Sequence, residues 1–568
     1  MRKLWTSGVL LAGVLLGFSA TAETLHEEAR CDFDGDGFSE LAIGVPGDDE
    51  GIGAVYIIDY QEDLLLYDTQ WFRPGQNVDT FGAINGGHFG AALACGDFNG
   101  DGYADLAVGA PGVFNNQGSV SVLYGDSGGL QDPPWDGRLY QNMVGFNESM
   151  EDDDYFGAAL TAGDFNGDGV DDLAIGVPGE TDPGGLFVGL DSQGLVHVLY
   201  GRTAAEAGPD GPPGPSPLGS EKYHPNLIEI NVIGNAHYGR SLAAADLNGD
   251  DVADLAVGAP YAWVDVSGNP NTPNFKKRAG VVHVLLGADA GAVPPDGGLD
   301  ISTSLILDQL VAPNTPETDE LFGYSLAVGN FDGADGFELA VGVPLEKLGE
   351  HFPEVGHGYG AVNVFGFTPG GDIDQTSFWF DSLLLGDGEE SRDFWGFALA
   401  AGDFDHNGED DLAIGRMGEN LEEHGGIVST GAVTVLYGSA GGLLDAANDQ
   451  RTISRFVAPD HYQEFGFALT TGKLIDPDEV NLVVGVPGWV GENSKEEPVK
   501  NAGAVAIFRS IDGDGVAEGS LNGWLHKAMI EENELRLPEN TLDKLVLPAD
   551  TLVEGFWRGE RFGAALAH

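Results

Sequence analysis

The stretch FGAALACGDFNGDGYADLAVGAPG, Phe89 to Gly112, followed by GSVSVLYG from Gly118, decides the fold. It strings together an aromatic-Gly start, an Asp-rich loop, an apolar strand ending in Gly-x-Pro, and a Gly-x-Val-x-Val strand. The copy that begins at Cys31 has the loop and both strands but no aromatic-Gly start. The last seven residues, Phe562 to His568, read FGAALAH and supply that start. A repeat divided between the two ends of a chain is what a closed ring requires.

Three tokens of the phrase each occur seven times. Aromatic-Gly starts stand at Phe89, Phe156, Tyr238, Phe322, Trp395, Phe465 and Phe562. Central strands begin at Leu41, Leu106, Leu173, Leu255, Leu339, Leu412 and Leu482, and third strands at Gly53, Gly118, Gly194, Gly280, Gly360, Gly431 and Gly503. The Val-x-Val alternation is that of a strand. A looser fourth strand is expected in each gap, with candidates at Leu227–Ile233, Ser304–Val311 and Arg451–Val457. Four strands per unit and no helical periodicity predict an all-β chain, a seven-bladed β-propeller of four-stranded antiparallel blades. Its ring is expected to close by the C-terminal strand joining the first blade, the alternative being a truncated eighth repeat.

Arg2 and Lys3 precede an apolar run from Val9 to Phe18, and Ala20-Thr21-Ala22 supplies a small-residue cleavage pattern. Residues 1–22 therefore read as a signal peptide and 23–568 as a single propeller. The run is short for a membrane span, and no transmembrane segment is expected later. The chain carries 25 Lys and Arg against 91 Asp and Glu, a formal charge of −66. Such a surface repels nucleic acid and anionic membranes. An exported location, periplasmic, surface-associated or secreted, also favours pairing of the two cysteines, Cys31 and Cys95, which precede the loops of adjacent repeats.

These tokens resemble FG-GAP repeats, the units of the integrin alpha-chain propeller and of many exported bacterial proteins. The resemblance covers nearly all of residues 23–568 and implies the propeller and calcium, with adhesion as a further expectation. Unlike integrin alpha chains, this sequence shows no leg domains, no transmembrane segment and no inserted ligand-binding domain.

The loops carry the chemistry. In Asp97-Phe98-Asn99-Gly100-Asp101-Gly102-Tyr103-Ala104-Asp105, side-chain oxygens stand at positions 1, 3, 5 and 9, and the position 7 carbonyl of Tyr103 joins them. Hard oxygens in a loose cage suit calcium better than magnesium, which demands a smaller octahedron. The same pattern recurs at Asp164, Asn166, Asp168, Val170 and Asp172, and at Asp403, Asp405, Asn407, Glu409 and Asp411. It recurs again at Asp32, Asp34, Asp36, Phe38 and Glu40. A fifth copy uses Asp246, Asn248, Asp250, Val252 and Asp254, with Asp251 in place of the position 6 glycine. About five Ca2+ sites are expected. Ala334 removes a ligand from the Asn330–Glu338 loop, which leaves its occupancy open. Lys473 and Asn481 replace the first and last ligands of the seventh loop, where no calcium is expected and Asp476 and Asp478 contacts or an ammonium would hold the turn.

Catalytic signals are weak. Gly125-Asp126-Ser127-Gly128-Gly129 matches a protease nucleophile motif, but Gly438-Ser439-Ala440-Gly441-Gly442 occupies the same place in a later repeat, so both read as turns. His197 and His283 fall at matching third-strand positions and read as ordinary strand side chains. The expected function is a non-catalytic binding or adhesion module for a protein or glycan ligand. A carbohydrate-active enzyme or a purely structural envelope protein are the alternatives. Two insertions stand out: the Pro/Gly-rich Gly208–Gly219, and Tyr261–Ala279, which carries the basic cluster Lys276-Lys277-Arg278. The connection Ser510–Glu560 reads as decoration on the last blade.

Overall fold

The computed structural model describes residues 31–61, 66–75, 84–131, 138–143, 146, 148–181, 192–207, 213–217, 219–225, 235–267, 269, 272–288, 298–311, 315–334, 336–347, 359–380, 394–418, 431–443, 450–453, 464–476, 479–488, 491–492, 498–499, 503–508, 521–525 and 565–567. The signal-peptide reading, the candidate strand Leu227–Ile233, half of Gly208–Gly219 and most of Ser510–Glu560 lie outside them.

Seven four-stranded antiparallel sheets form a seven-bladed β-propeller. Blade 2 shows the plan: Ala92–Gly96 innermost, then Asp105–Gly109, Val120–Leu123 and Arg138–Leu139 outermost. The inner strands of blades 3 to 7 are Ala159–Gly163, Ser241–Ala245, Leu326–Gly329, Ala398–Gly402 and Ala468–Asp476. In blade 1 that place is taken by Ala565–Ala567, which runs antiparallel to Leu41–Val45 with Ala42 opposite Ala567 and Gly44 opposite Ala565. Each inner strand touches the next, and that of blade 7 touches Ala565–Ala567.

The core is distributed over the junctions between blades. Alternation along one strand explains how. Val55 and Ile57 of blade 1 join Leu93, Leu106 and Val108 of blade 2 in one apolar cluster. Their neighbours Ala54, Tyr56 and Ile58 point the other way, into a cluster with Leu474, Val483, Val505 and Ile507 of blade 7. Strands buried on both faces read as continuous apolar runs, which is why the central strands spell LAIGVP and LAVGAP. Six of the seven aromatics of the aromatic-Gly starts plug such junctions, and Phe562 lies outside the described residues. Phe89, Phe156, Tyr238, Phe322, Trp395 and Phe465 are all buried, with at most 3% exposure. Gly53 abuts Phe89 with φ +90°, and a Cβ on it would lie 2.1 Å from the Phe89 carbonyl oxygen, so only glycine fits there.

The outer strands are where the sequence reading shifts. The fourth strand of blade 3 is Glu221–Tyr223, ahead of the expected Leu227–Ile233. That of blade 4 is Asp300–Leu307, beginning and ending before the expected Ser304–Val311, and that of blade 6 is Gln450–Ile453. The seventh Asp-rich loop is replaced by a hairpin, in which Ala468–Asp476 runs on until Asp476 pairs with Glu479. Asp478 of the expected contacts lies outside the described residues.

Cys31 and Cys95 form a disulfide with a Cα–Cα distance of 5.4 Å, tying blade 1 to the inner strand of blade 2. No helix among the described residues is long and apolar enough to cross a membrane.

Deleting Phe562–His568 would leave the hydrogen-bonding edge of Leu41–Val45 open at the centre of the ring. The expected outcome is a lower melting temperature for the entire cooperative transition, with concentration-dependent association. Calorimetry and gel filtration check it, and a loss confined to local order would refute it.

Candidate metal centres

In blades 2 to 7 the Asp-rich loop or its counterpart runs from an inner strand to a central strand, and in blade 1 the loop leads straight into the central strand, so all of them lie on one face of the propeller. The first aspartate builds the turn. Asp97 Oδ1 accepts from the amides of Gly100 and Asp101 at 2.7 and 3.1 Å, and its Oδ2 accepts from Gly102 at 2.9 Å. Asp32 does the same with Gly35, Asp36 and Gly37. Asp251 holds the left-handed turn without glycine, at φ +68°, and donates its amide to Asp246 Oδ2 at 2.7 Å. The expected weakness of that turn is met by this bond.

The ninth position is the anchor. Its side-chain oxygen accepts the amide of position 2 in all seven blades: Phe33 to Glu40, Phe98 to Asp105, Phe165 to Asp172, Leu247 to Asp254, Phe331 to Glu338, Phe404 to Asp411 and Leu474 to Asn481. The second carboxylate oxygen reaches further. It accepts the amide of the glycine that ends the third strand, as in Gly125 to Asp105 and Gly201 to Asp172 at 3.0 and 2.8 Å. Gly287 to Asp254 and Gly438 to Asp411 repeat it at 2.8 and 2.9 Å. Sequence reading missed this role, although a glycine after each Leu-Tyr or Leu-Leu at the strand end marks it.

The loops also hold one another. The position 1 carbonyl of one blade accepts the position 8 amide of the next: Ala104 to Asp32, Asp171 to Asp97, Ala253 to Asp164, Phe337 to Asp246 and Asp410 to Asn330. Ser39 donates to Lys473 in the same way, which links blade 7 to blade 1.

Two loops gather their acids within 4.8 Å of one another: Asp32, Asp34, Asp36 and Glu40 in blade 1, and Asp403, Asp405 and Asp411 in blade 6. In blades 2, 3 and 4 the third position is Asn99, Asn166 or Asn248, and the acids stand farther apart. The donor set passes a direct test for a hard cation. Glu40 Oε1 and Asn248 Oδ1 are buried acceptors with no hydrogen-bond donor. Burial, and then the neighbouring acids, push Glu40 up to about 9. Asp411 is likewise raised to about 9 by burial, with the Asp405 and Asp403 charges adding to it. Asp105, Asp172 and Asp254 are also held well above the usual carboxylate range by burial. These loops are acidic clusters able to bind metal ions.

Blade 5 differs. The Asn330 amide nitrogen donates inward to the Ala334 carbonyl at 3.1 Å, while its oxygen accepts from Gly333 at 2.7 Å. Position 1 here offers one acceptor and one donor where the loops of blades 1, 2, 3, 4 and 6 have a carboxylate, and both are used within the loop.

The remaining candidates resolve as ordinary structure. Ser127 is exposed in a turn where Asp126 Oδ1 accepts the Gly128 amide. His197 and His283 are fully buried, and burial lowers both to about 3, so they are neutral strand side chains.

An FG-GAP repeat model matches residues 29–58, 89–123, 156–199, 238–285 and 395–436. The chain is an FG-GAP repeat protein. The matched blades are the five whose loops carry a complete oxygen set; blades 5 and 7, with Ala334 and Lys473, are the two passed over. Among curated relatives, phosphatidylinositol-glycan-specific phospholipase D of Bos taurus is 34% identical over 177 residues, covering 30% of this chain and 19% of its own length. The Rattus norvegicus protein of that name is 27% identical over 81% of this chain and 52% of its own. Integrin alpha-PS5 of Drosophila melanogaster is 34% identical over 32% of this chain and 16% of its own. This chain thus spans about half or less of those relatives. Rhamnogalacturonan lyase PL11 of Bacillus licheniformis aligns over 86% of this chain and 76% of its own at 12% identity with a TM-score of 0.30, too low to bear on function.

Two outcomes follow. In chelator, Glu40 and Asp411 bind protons more tightly folded than unfolded, so the stability they lend is full below about pH 4 and is lost as pH rises toward 9. Denaturant melts in chelator should therefore show a protein more stable at pH 5 than at pH 8. Replacing Asn481 by alanine strands the buried Leu474 amide. It should cost about 1–3 kcal/mol, equally with and without calcium.

Proposed function

We propose that this chain is an exported, calcium-stabilised, non-catalytic binding module that engages a protein or glycan through the face opposite its Asp-rich loops. The carrying observation is the set of buried position 9 acids in blades 1, 2, 3, 4 and 6, each in a loop with three further oxygen side chains. Bound calcium would neutralise those acids and lock the strand that follows. The residues that would hold it are Asp32, Asp34, Asp36 and Glu40, with their counterparts in the other four loops. Blade 5 fills its own loop and blade 7 has a hairpin, which supports a count of about five. The disulfide fits an oxidising compartment.

The loop topology supports that choice of face. Tight Asp-rich loops, bonded blade to blade, occupy the acidic face together with the connections between third and fourth strands. The connections between central and third strands, and those leading into each aromatic-Gly start, lie on the other. Variable loops on a rigid scaffold are the usual place for recognition. The basic cluster lies there but is largely engaged: Lys277 stands 4.6 Å over the Trp263 ring and Arg278 pairs with Asp319 at 2.5 Å. That supports a structural role for two of its three cations.

Chelation is expected to lower the melting temperature markedly, because a ligand at a hundred times its dissociation constant contributes about 2.7 kcal/mol per site. An unchanged melting temperature in excess chelator refutes the metal reading. Saturable binding on glycan and protein arrays, without turnover of polysaccharides, supports the module; turnover replaces it with an enzyme.

A further inference from the structure

A second acidic cluster lies on the opposite face, where blade 2 meets blade 3. Glu151, Asp154 and Glu180 bring ligand atoms within 4.8 Å of one another, about the span across a calcium ion with oxygens at 2.3–2.6 Å. Asp154 is 1% exposed and Glu180 6%. Gln141, fully buried, donates from Nε2 to Glu180 Oε2 at 2.6 Å, while its Oε1 has no hydrogen-bond donor. Glu151 fixes Asp154 through its own amide, which donates to Asp154 Oδ2 at 2.6 Å. Three carboxylates converge, and the amide that bonds one of them carries a buried, unused oxygen. Burial, and then the Asp154 charge, lift Glu180 to about 8.

The repeat supplies its own controls. Blade 5 repeats the hydrogen bonds of this junction where it meets blade 4, with Gln309, Glu317, Glu320 and Glu346, although its acids are not gathered within 4.8 Å. There Gln309 donates to Glu346 Oε2 at 2.6 Å and the Glu317 amide to Glu320 Oε2 at 2.6 Å. In that copy the residue after Glu346 is Lys347, whose ammonium bonds the Thr318 carbonyl and whose charge offsets part of the burial and the Glu346 charge that raise Glu320 to about 9. In blade 1 the same strand-end position is Asp48, paired with Arg73. Blade 3 has Thr181 where blade 5 has Lys347. Among the described residues no lysine or arginine pairs with Glu151, Asp154 or Glu180, and nearby Lys222 pairs with Glu148 instead.

We infer that Gln141, Glu151, Asp154 and Glu180 form a divalent-cation site of the calcium class, distinct from the Asp-rich loops, in which a bound ion does for blade 3 what Lys347 does for blade 5. The site joins the approach to blade 3 with the end of its central strand. An ion there fastens the loop 148–155 on the face opposite the Asp-rich loops.

Calcium bound per full-length chain, counted by elemental analysis after equilibrium dialysis, tests it whether or not the Asp-rich loops are filled. Thr181→Lys should lower the count by one and raise the melting temperature in chelator. Lys347→Thr should raise the count by one, and the D154N/E180Q pair should lower it by one. An unchanged count in folded Thr181→Lys overturns the inference, because it means that the acids share a proton and need no ion. A terbium-soaked crystal of the unaltered protein decides the matter without any variant. An anomalous peak between Asp154 and Glu180 supports the site; peaks confined to the Asp-rich loops overturn it.

Discussion

The hydrogen bond from the position 2 amide to the position 9 side chain is the constraint on which this propeller depends. It joins the end of an inner strand to the start of a central strand, with the position 2 side chain (Phe33, Phe98, Phe165, Leu247, Phe331, Phe404 or Leu474) buried beside it. A buried amide left without a partner costs about 1–3 kcal/mol, so the acceptor is required whether or not a metal is present. Blade 7 separates the two needs. Asn481 keeps the acceptor and drops the charge, and Lys473 removes the first ligand from the same loop.

From that bond the rest follows in order. An acceptor with one oxygen on position 2 has a second oxygen to spare, and in blades 2, 3, 4 and 6 this takes the third-strand glycine amide. One carboxylate thereby fixes three strands of a blade at their common end. The position 1 carbonyl then receives the next blade's position 8 amide, so the same loop sets blade-to-blade spacing. A buried charge at this crossing needs a counter-charge, since an uncompensated ion in an apolar site is costly. The loop supplies the oxygens that would hold it.

Much of this was legible in the sequence because the constrained positions have few alternatives. An aromatic at Phe89 and a glycine at Gly53 are forced by close packing, and central strands buried on both faces must be small and apolar. The outer strands were misplaced because they pack on one face only. Asp300–Leu307 runs Ser-Thr-Ser and then Leu-Ile-Leu with no alternation and is exposed or half-buried as far as Ile306, so its ends carry no signal. The Glu221–Tyr223 strand is three residues long, too short for any period to register. The opposite-face cluster left a trace that went unread: Glu151-x-x-Asp154-x-Phe156-Gly157 and Glu317-x-x-Glu320-x-Phe322-Gly323, each followed by Gly-Val-Pro-x-Glu. Its members are spread over three connections, and spacing in the chain does not reveal convergence in space.

The seven copies are in effect seven solutions to one electrostatic problem on a shared backbone. At the end of the central strand, blade 1 pairs Asp48 with Arg73, while blade 5 places Lys347 beside Glu346. Blades 2 and 4 avoid the charge with Val113 and Ala262, both buried in apolar clusters. Blade 3 alone among these five keeps the acids with no basic partner. On the Asp-rich face the same range appears, from four acids in blade 1 to a lysine in blade 7. Because the backbone positions are equivalent, differences in counter-charge are not side effects of different folds. They set which junctions respond to cation concentration and which do not, and so make the stability of one ring depend unevenly on its ionic surroundings.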